Sequence, residues 1–513
     1  MQASTTTAAV SRTQRIGVVG CGLMGRGIAQ IAAQAGDRVV LLDKQAGAAD
    51  KARDGLRDTW ERLAARGKLA AADAERALAN VAVAAGLEDL RGCDVVVEAI
   101  VEDLAIKRAL FAELEEALGP DAILATNTSS LSVTAIAAGL AHPQRVAGFH
   151  FFSPVPLMKI VEVVDGVLTD AAVGDRLLAL GARWGHTAVR TQDTPGFIVN
   201  HAGRGFGTEG LRILAESVAE HPVLDRILRD CAGFRLGPCE LLDLTGLDVS
   251  APVMDSIYHQ YYEEPRFRPQ PLLRTRLAAG LLGRKSGRGF YVYGADGKPE
   301  AVAEHSVPAV RAERVWVSRA RPELAERVVA LVRALGATVS DAERPADDDL
   351  IVVTPLGEDA TQCVAREALD ARRTVAVDAL FDLARRRVVM STPATAPAWR
   401  ERALGLFGAD GTPVDAIRDS AGLVAQRVVA HIVNIACEIA QLGIAAPADI
   451  DRAVTLGLGY PLGPLAWGDA LAPAVVLELL TNLQAATGDP RYRPSTWLRR
   501  RAALGLSLLT PEI

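Results

Sequence analysis

Residues 146–164 read VAGFHFFSPVPLMKIVEVV, an apolar run interrupted by four polar side chains, His150, Ser153, Lys159 and Glu162. A run of this kind reads as strands buried beside a sheet. Burying an imidazole and a carboxylate is costly unless the two pair. A carboxylate held against one ring nitrogen fixes the tautomer and raises the basicity of the other, which is what a general base requires. A core histidine bonded to a backbone carbonyl, with Glu162 at a strand edge, fits the same segment, and the segment alone leaves both readings open.

A second set of residues points to a nucleotide. Gly20-x-Gly22-x-x-Gly25 follows an apolar run (residues 15–20) and opens a helical pattern (residues 23–36). The first glycine permits a tight turn, the second lets backbone approach a pyrophosphate, and the third lets helix pack on strand. The helix N-terminus then faces the phosphates with its partial positive charge. Leu23 and Met24 lie inside this turn and count with it as cofactor-binding candidates. Asp43 ends the next apolar run, where an acid bonds the adenosine ribose hydroxyls and repels the 2′-phosphate of NADP. NAD is therefore the expected dinucleotide; a purely structural glycine turn is the alternative.

Two further polar groups follow predicted strands, where ligands collect in such folds, and a third opens a helix. Glu98, Glu102 and Lys107 lie in and after DVVVEAIVEDL. Thr126-Asn127-Thr128-Ser129-Ser130 is a hydroxyl-rich cluster suited to a nicotinamide ribose or a substrate oxygen. Ser132 is the better N-cap for the next helix, which leaves Ser129 free for that task. Asn200 falls one turn into the helix opened by Asp193-Thr194-Pro195-Gly196.

The elements that must position these groups alternate strand and helix. Strands are expected over residues 15–20, 38–43, 94–99 and 122–127, with an exposed helical hairpin over 46–79 broken at Gly67. Long helical patterns replace this alternation from Thr194 to about Leu282. A second strand–helix segment follows, with strands over 314–318, 350–355, 374–379 and 387–391 and no glycine-rich turn. The helical segment then recurs. Gly196 and Gly422, Asp225-Arg226 and Asp451-Arg452, and Leu236-Gly237-Pro238 and Leu462-Gly463-Pro464 share one offset of 226 residues. Pro265–Pro269 and Pro490–Pro494 match at 225. The expected fold is an α/β Rossmann domain followed by an all-α domain, then a degenerate Rossmann-like α/β domain and a second copy of the all-α domain. The expected boundaries are a disordered tail (1–14), the NAD-binding domain with its hairpin (15–192), the first helical domain (193–294), a linker (295–312), the reduced Rossmann-like domain (313–418) and the second helical copy (419–513). Two copies are too few for a solenoid, so an intrachain pseudo-dimer is expected.

Composition limits the alternatives. The chain has 513 residues, half of them hydrophobic, and a net charge of −6, which argues against non-specific nucleic-acid binding. Its six cysteines are scattered without a CxxC, as in a cytoplasmic protein with reduced thiols and no metal site. No apolar run is long enough for a membrane span. Residues 280–286, GLLGRKS, fail as a P-loop because Arg284 stands where glycine is required.

Taken together, GCGLMGRGIA, VVVEAIVEDLAIK, NTSSLSV, HFFSPVPLMKIVEVV, DTPGFIVN and LGPCELLDLTGLD resemble the 3-hydroxyacyl-CoA dehydrogenase family, and the whole chain resembles its long bacterial form. The resemblance implies NAD-dependent, reversible oxidation of (S)-3-hydroxyacyl-CoA, in fatty acid β-oxidation or phenylacetate catabolism. It implies His150 as catalytic base, Glu162 as its partner, and Ser129 and Asn200 holding the substrate oxygen and the histidine. It implies Asp43, Glu102 and Lys107 as NAD contacts, with Asn127 beside them. It places coenzyme A against the hairpin, where Thr59, Arg66 and Lys68 are the candidates. The acyl-CoA is then the partner, and the helical pairing seen between one-copy chains is satisfied within this one, with further oligomerisation open. Departures are Ser153 and His201, where the family usually has asparagine and arginine, with Arg204 one turn on; in the second copy Gln426 replaces Asn200. A dehydrogenase of a small hydroxy acid and a non-catalytic NAD-binding protein are the alternatives.

Overall fold

The computed structural model describes residues 12–512, so the expected tail falls largely outside the described residues. The first unit begins with β1 (Arg15–Val19), α1 (Leu23–Gln34) and β2 (Arg38–Leu42), joined by the glycine turn. It continues with α2 (Ala48–Ala65), α3 (Ala71–Ala79), β3 (Val81–Val83), β4 (Val95–Glu98), α4 (Leu104–Ala117), β5 (Ile123–Thr126) and α5 (Val133–Ala137). β6 (Val146–Phe151), β7 (Ile160–Asp165), α6 (Ala171–Arg183) and β8 (Thr187–Gln192) complete the sheet. Its order is β3-β2-β1-β4-β5-β6-β7-β8, parallel except at β6–β7. The strands are apolar on both faces because both are covered. Val18, Val97 and Ala125 point into one core layer, Val96, Leu124 and Val164 into the other.

The hairpin differs from expectation. It is docked rather than exposed, because Ala52, Leu56 and Trp60 form a stripe at i, i+4, i+8 that joins the core, with Trp60 only 1% exposed. The three-residue β3 and the half-polar β8 (TAVRTQ) were not expected. One is too short, and the other too weakly alternating, to stand out in the sequence.

The helical segment comprises α7 (Val199–Ala202), α8 (Arg204–Ala215), α9 (His221–Ala232), α10 (Pro238–Thr245), α11 (Leu247–Gln260) and α12 (Pro271–Ala278). The second sheet uses β9 (Arg314–Val317), α13 (Pro322–Ala334), β10 (Thr338–Val339), β11 (Leu350–Val353), α14 (Ala360–Glu367), β12 (Thr374–Val377), β13 (Arg387–Ser391), α15 (Pro397–Phe407) and β14 (Val414–Arg418). Its order is β10-β9-β11-β12-β13-β14, with β12–β13 antiparallel. β10 and β14 are further short edge strands beyond the four expected. Then come α16 (Ala425–Gln441), α17 (Pro447–Leu458), α18 (Pro464–Ala470), α19 (Pro473–Thr487) and α20 (Thr496–Leu504). Starts of α9, α10 and α11 recur 226 residues later as those of α17, α18 and α19. Among the described residues no single helix is long and apolar enough to cross a membrane.

The chain divides into two compact units. One comprises residues up to His201 with Leu442–Leu458, the other Ala202–Gln441 with Gly459–Ile513. In the second unit α8 packs on α16. Arg266 donates to Arg493 O at 2.8 Å and Arg491 donates to Arg268 O at 3.2 Å. Reciprocal contacts between equivalent residues are the mark of an isologous, two-fold interface. Glu209, fully buried there, accepts from Arg491 Nη1 at 2.8 Å and from Tyr492 OH at 2.5 Å.

A buried polar pair lies at the end of one strand of the second sheet. Asp378 follows directly on β12, and its amide donates to Val388 O. Gln426, at the offset position of Asn200, donates to Asp378 Oδ1 at 3.0 Å and to Pro355 O at 3.1 Å, and accepts from Gly357 N at 3.1 Å. Asp378 Oδ2 is buried without a partner, and burial pushes this carboxyl up to about 6. Because the folded form holds the proton more tightly than the unfolded chain does, the associated stability is full below the ordinary carboxylate range and is lost as pH rises through about 6. Asp378→Asn is therefore expected to raise thermal stability at pH 8, by a free energy on the order of 3 kcal/mol. The gain should shrink towards zero at pH 4, and an equal gain at both pH values would contradict it.

Candidate active site

β6 and β7 run antiparallel with His150 directly opposite Glu162, so both side chains emerge on one face. His150 Nδ1 lies 2.7 Å from Glu162 Oε2, and the two residues are 4% and 0% exposed. Glu162 Oε1 accepts from the amides of Ile198 and Val199, each at 2.9 Å. Those amides belong to the turn that opens α7, so one carboxylate ties the histidine to the segment carrying Asn200. Both oxygens of the buried carboxylate therefore have partners. Nε2 is left as the remaining polar edge of the ring. Phe152 and Phe197 flank the imidazole, with ring centroids 4.4 and 5.7 Å away.

His150 borders a cleft of about 320 Å³. Met24 and Ile100 line one part of it, and Glu102, Asn127 and Ser129 another. Ser153 and Asn200 complete it. Residues distant in sequence and singled out separately thus meet in one place, at the carboxyl ends of β4, β5 and β6. Volume alone does not mark the site. A cleft of about 960 Å³ in the second unit, lined by His305, Glu220, Arg418 and Asp419 among others, has no ion pair between its histidine and a carboxylate among the described residues.

The glycine turn has the geometry of a phosphate cradle. Gly20 has φ +95°. A Cβ on Gly25 would lie 1.8 Å from Gly20 O, so the third glycine is required by the close packing of helix on turn. A Cβ on Gly22 would meet nothing within 4 Å, which leaves open space where a pyrophosphate must approach. Asp43 Oδ2 accepts from Cys21 N at 2.7 Å and Oδ1 from Gln45 N at 2.9 Å, holding the acid beside the turn. Burial and the Asp43 charge push the Cys21 thiol up to about 12, so it adds no negative charge beside the phosphates.

Under the hydroxyl-rich loop lies a buried polar relay that was only partly legible. Glu98 Oε1 pairs with Lys107 Nζ at 2.5 Å, and Glu98 Oε2 accepts from Thr126 Oγ1 at 2.7 Å. Lys107, 1% exposed, reaches Glu102 Oε2 at 3.4 Å. Glu102 Oε1 in turn accepts from Thr128 Oγ1 at 2.7 Å, Ser129 N at 2.9 Å and Ser130 Oγ at 2.9 Å. Burial would raise the Glu102 carboxyl, but the Thr128 hydroxyl, the Lys107 charge and the Ser129 amide together hold it below its ordinary value. Asn127 Oδ1 accepts from Phe151 N at 2.8 Å, fastening the loop to the strand of His150. Glu98, Thr126 and Thr128 stand in the candidate segments, but none of them had a role of its own from the sequence. The available signal was a carboxylate closing an otherwise apolar strand, VVVE.

The remaining candidates lie outside the cleft. Thr59 Oγ1 donates to Gly55 O within α2, while Arg66 and Lys68 are exposed. His201 is buried in the first unit. Arg204 belongs to the second unit, where burial lowers it to about 10.

A parallel sheet with a glycine cradle, and a buried histidine–carboxylate pair at its carboxyl edge, defines a dinucleotide-dependent dehydrogenase. The model of the 3-hydroxyacyl-CoA dehydrogenase NAD binding domain matches residues 15–194. That of the 3-hydroxyacyl-CoA dehydrogenase C-terminal domain matches twice, at 196–293 and 422–507. The chain belongs to the 3-hydroxyacyl-CoA dehydrogenase family. It is 40% identical to 3-hydroxyadipyl-CoA dehydrogenase of Escherichia coli K12, over 96% of this chain and 98% of that protein. A solved structure of 3-hydroxybutyryl-CoA dehydrogenase from E. coli K12 matches with a TM-score of 0.85 at 37% identity, covering 96% of this chain and 99% of that one. Shorter relatives match over about 55% of this chain. The 3-hydroxybutyryl-CoA dehydrogenase of Mycobacterium tuberculosis H37Rv is 38% identical over 55% of this chain and 98% of that protein.

Proposed function

We propose that the protein oxidises the C3 hydroxyl of a 3-hydroxyacyl thioester of coenzyme A, reversibly and with the (S) configuration, using His150 as general base. His150, on the cleft and 2.7 Å from the buried Glu162, carries this reading. Neutral His150 takes the C3 hydroxyl proton at Nε2, and Glu162 at Nδ1 stabilises the imidazolium that forms. Ser129 and Asn200, on the walls of the same cleft, hold the substrate oxygen and the ring edge. NAD, when bound, supplies the hydride acceptor; the turn Gly20–Gly25 and Asp43 would hold its pyrophosphate and adenosine ribose.

Glu102 and Asn127, both on the cleft, are the proposed neighbours of the nicotinamide ribose. Lys107 acts on that group through Glu102, from beneath the loop. Arg66 and Lys68 are exposed and are the proposed contacts of coenzyme A phosphates, whereas the Thr59 hydroxyl already bonds within its helix. The two matches to the C-terminal model support the four-domain reading with the boundaries given above. The reciprocal Arg266 and Arg491 bonds support pairing of the two helical copies within one chain. A cytoplasmic enzyme of fatty acid or phenylacetate breakdown follows from this reading.

A kcat/KM series over 3-hydroxybutyryl, 3-hydroxyhexanoyl and 3-hydroxyadipyl thioesters, with the matching free acids, tests it. NAD reduction with at least one thioester, and none with its free acid, is expected. Turnover of free acids alone would sink the proposal.

A further inference from the structure

Among the described residues the second sheet has no histidine–carboxylate pair of its own, yet the second half of the chain supplies one helix to the first unit. Residues Leu442–Leu458 belong with that unit. Gln192 N donates to Ile444 O at 2.9 Å, and α17 packs against β7 and β8. Ile450, Ala453 and Val454 of α17 are fully buried. The strand it covers, β7, is the one carrying Glu162.

Gly457 lies in the last turn of α17. Glycine is the least favourable residue inside a helix after proline, so its presence there calls for a reason. A Cβ at Gly457 would meet both Cγ atoms of Val199 at 3.0 Å, closer than ordinary contact. Val199 is 1% exposed, its amide donates to Glu162 Oε1 at 2.9 Å, and Asn200 follows it. The equivalent positions 226 residues away are Cys231 and Ala425, on helices that also pack together. There the larger side chain is on the other partner, and no catalytic pair depends on the fit.

We propose that Gly457 is a positioning residue for the reaction, and that α17 of the second half is thereby part of the catalytic unit. Its missing side chain lets α17 close on Val199. The Val199 amide and Asn200 are then held where Glu162 and the cleft need them. Added bulk at Gly457 pushes on Val199, lengthens its bond to Glu162, and loosens the carboxylate that orients His150. The role in turnover rests on the dehydrogenase reading above; the geometry of the pair does not.

The test uses the full chain with Gly457→Ala, Gly457→Val, Val199→Ala and the double variant Val199→Ala/Gly457→Val. Reduction of acetoacetyl-CoA by NADH is followed. kcat is expected to fall several-fold in Gly457→Ala and on the order of 10²-fold in Gly457→Val, with KM for NADH little changed. The double variant should recover most of the lost kcat. In parallel, the His150 imidazole titration is followed by NMR without substrate. It should move in Gly457→Val and return in the double variant. Wild-type kcat in Gly457→Val overturns the proposal, as does a double variant that regains thermal stability but not kcat. An unchanged titration overturns it as well. If the wild type turns over no thioester, the substrate reading fails, and the titration still decides the role of Gly457.

Discussion

His150→Ala is expected to lower kcat by about 10²–10⁴-fold while leaving NADH binding within a few-fold, because a positioned general base contributes about that much. The imidazole is the titratable group on the cleft whose Nδ1 is already held by a carboxylate, so its Nε2 is the basic atom available to the substrate hydroxyl. The glycine cradle and Asp43 are built by other elements, β1, α1 and β2, and do not depend on the ring. Loss of kcat without loss of NADH affinity, measured by steady-state kinetics and by fluorescence titration, would separate the two roles. Turnover at the wild-type level would refute His150 as the base. A parallel loss of NADH binding would mean that the substitution disturbs β6 rather than the chemistry.

Glu162→Gln should be nearly as damaging, by roughly 10³–10⁴-fold, for a different reason. The carboxylate performs two tasks with its two oxygens. Oε2 holds His150 Nδ1, and Oε1 takes the amides of Ile198 and Val199. Glutamine can keep its carbonyl on the two amides, which leaves its NH₂ facing Nδ1. An NH₂ there can only donate, so Nδ1 must become the acceptor and the proton moves to Nε2. The ring is then in the tautomer that cannot accept the substrate proton. Circular dichroism and melting should show a folded chain, with kcat low across the pH range. Activity within tenfold of wild type would mean that Glu162 is a core residue and does not set the tautomer. Glu162→Ala is expected to do more harm to folding, because it leaves two buried amides and a buried imidazole without a partner.

The candidate site residues were legible because each is an exception in its sequence context. His150 and Glu162 interrupt a buried run, the glycines interrupt a strand–helix junction, and Asp43 closes a strand. Glu98 and Lys107 were harder to read, since a charged pair near a strand end looks the same whether it faces solvent or is sealed under a loop. Only the packing of β5 and the serine loop over them removes the water and turns them into a relay. The hairpin was misread as exposed for a similar reason. Its composition is rich in charge, and the Ala52, Leu56 and Trp60 stripe becomes decisive only when a sheet is present to receive it.

The sequence by itself determined the dinucleotide turn, the alternation of strand and helix that leads to it, the polar residues of the cleft and the repeat at a constant offset. These follow from local sterics, from hydrophobic periodicity and from counting. Tertiary structure decided which of these meet. It brought His150 opposite Glu162 through an antiparallel register, and tied Glu162 to the amides before Asn200. It also sent α17 of the second copy onto β7 and β8 of the first unit. No local pattern encodes that last step, because a buried helix face is equally apolar whichever sheet it covers. The choice is made by long-range shape, and at Gly457 it comes down to the space a single Cβ would occupy.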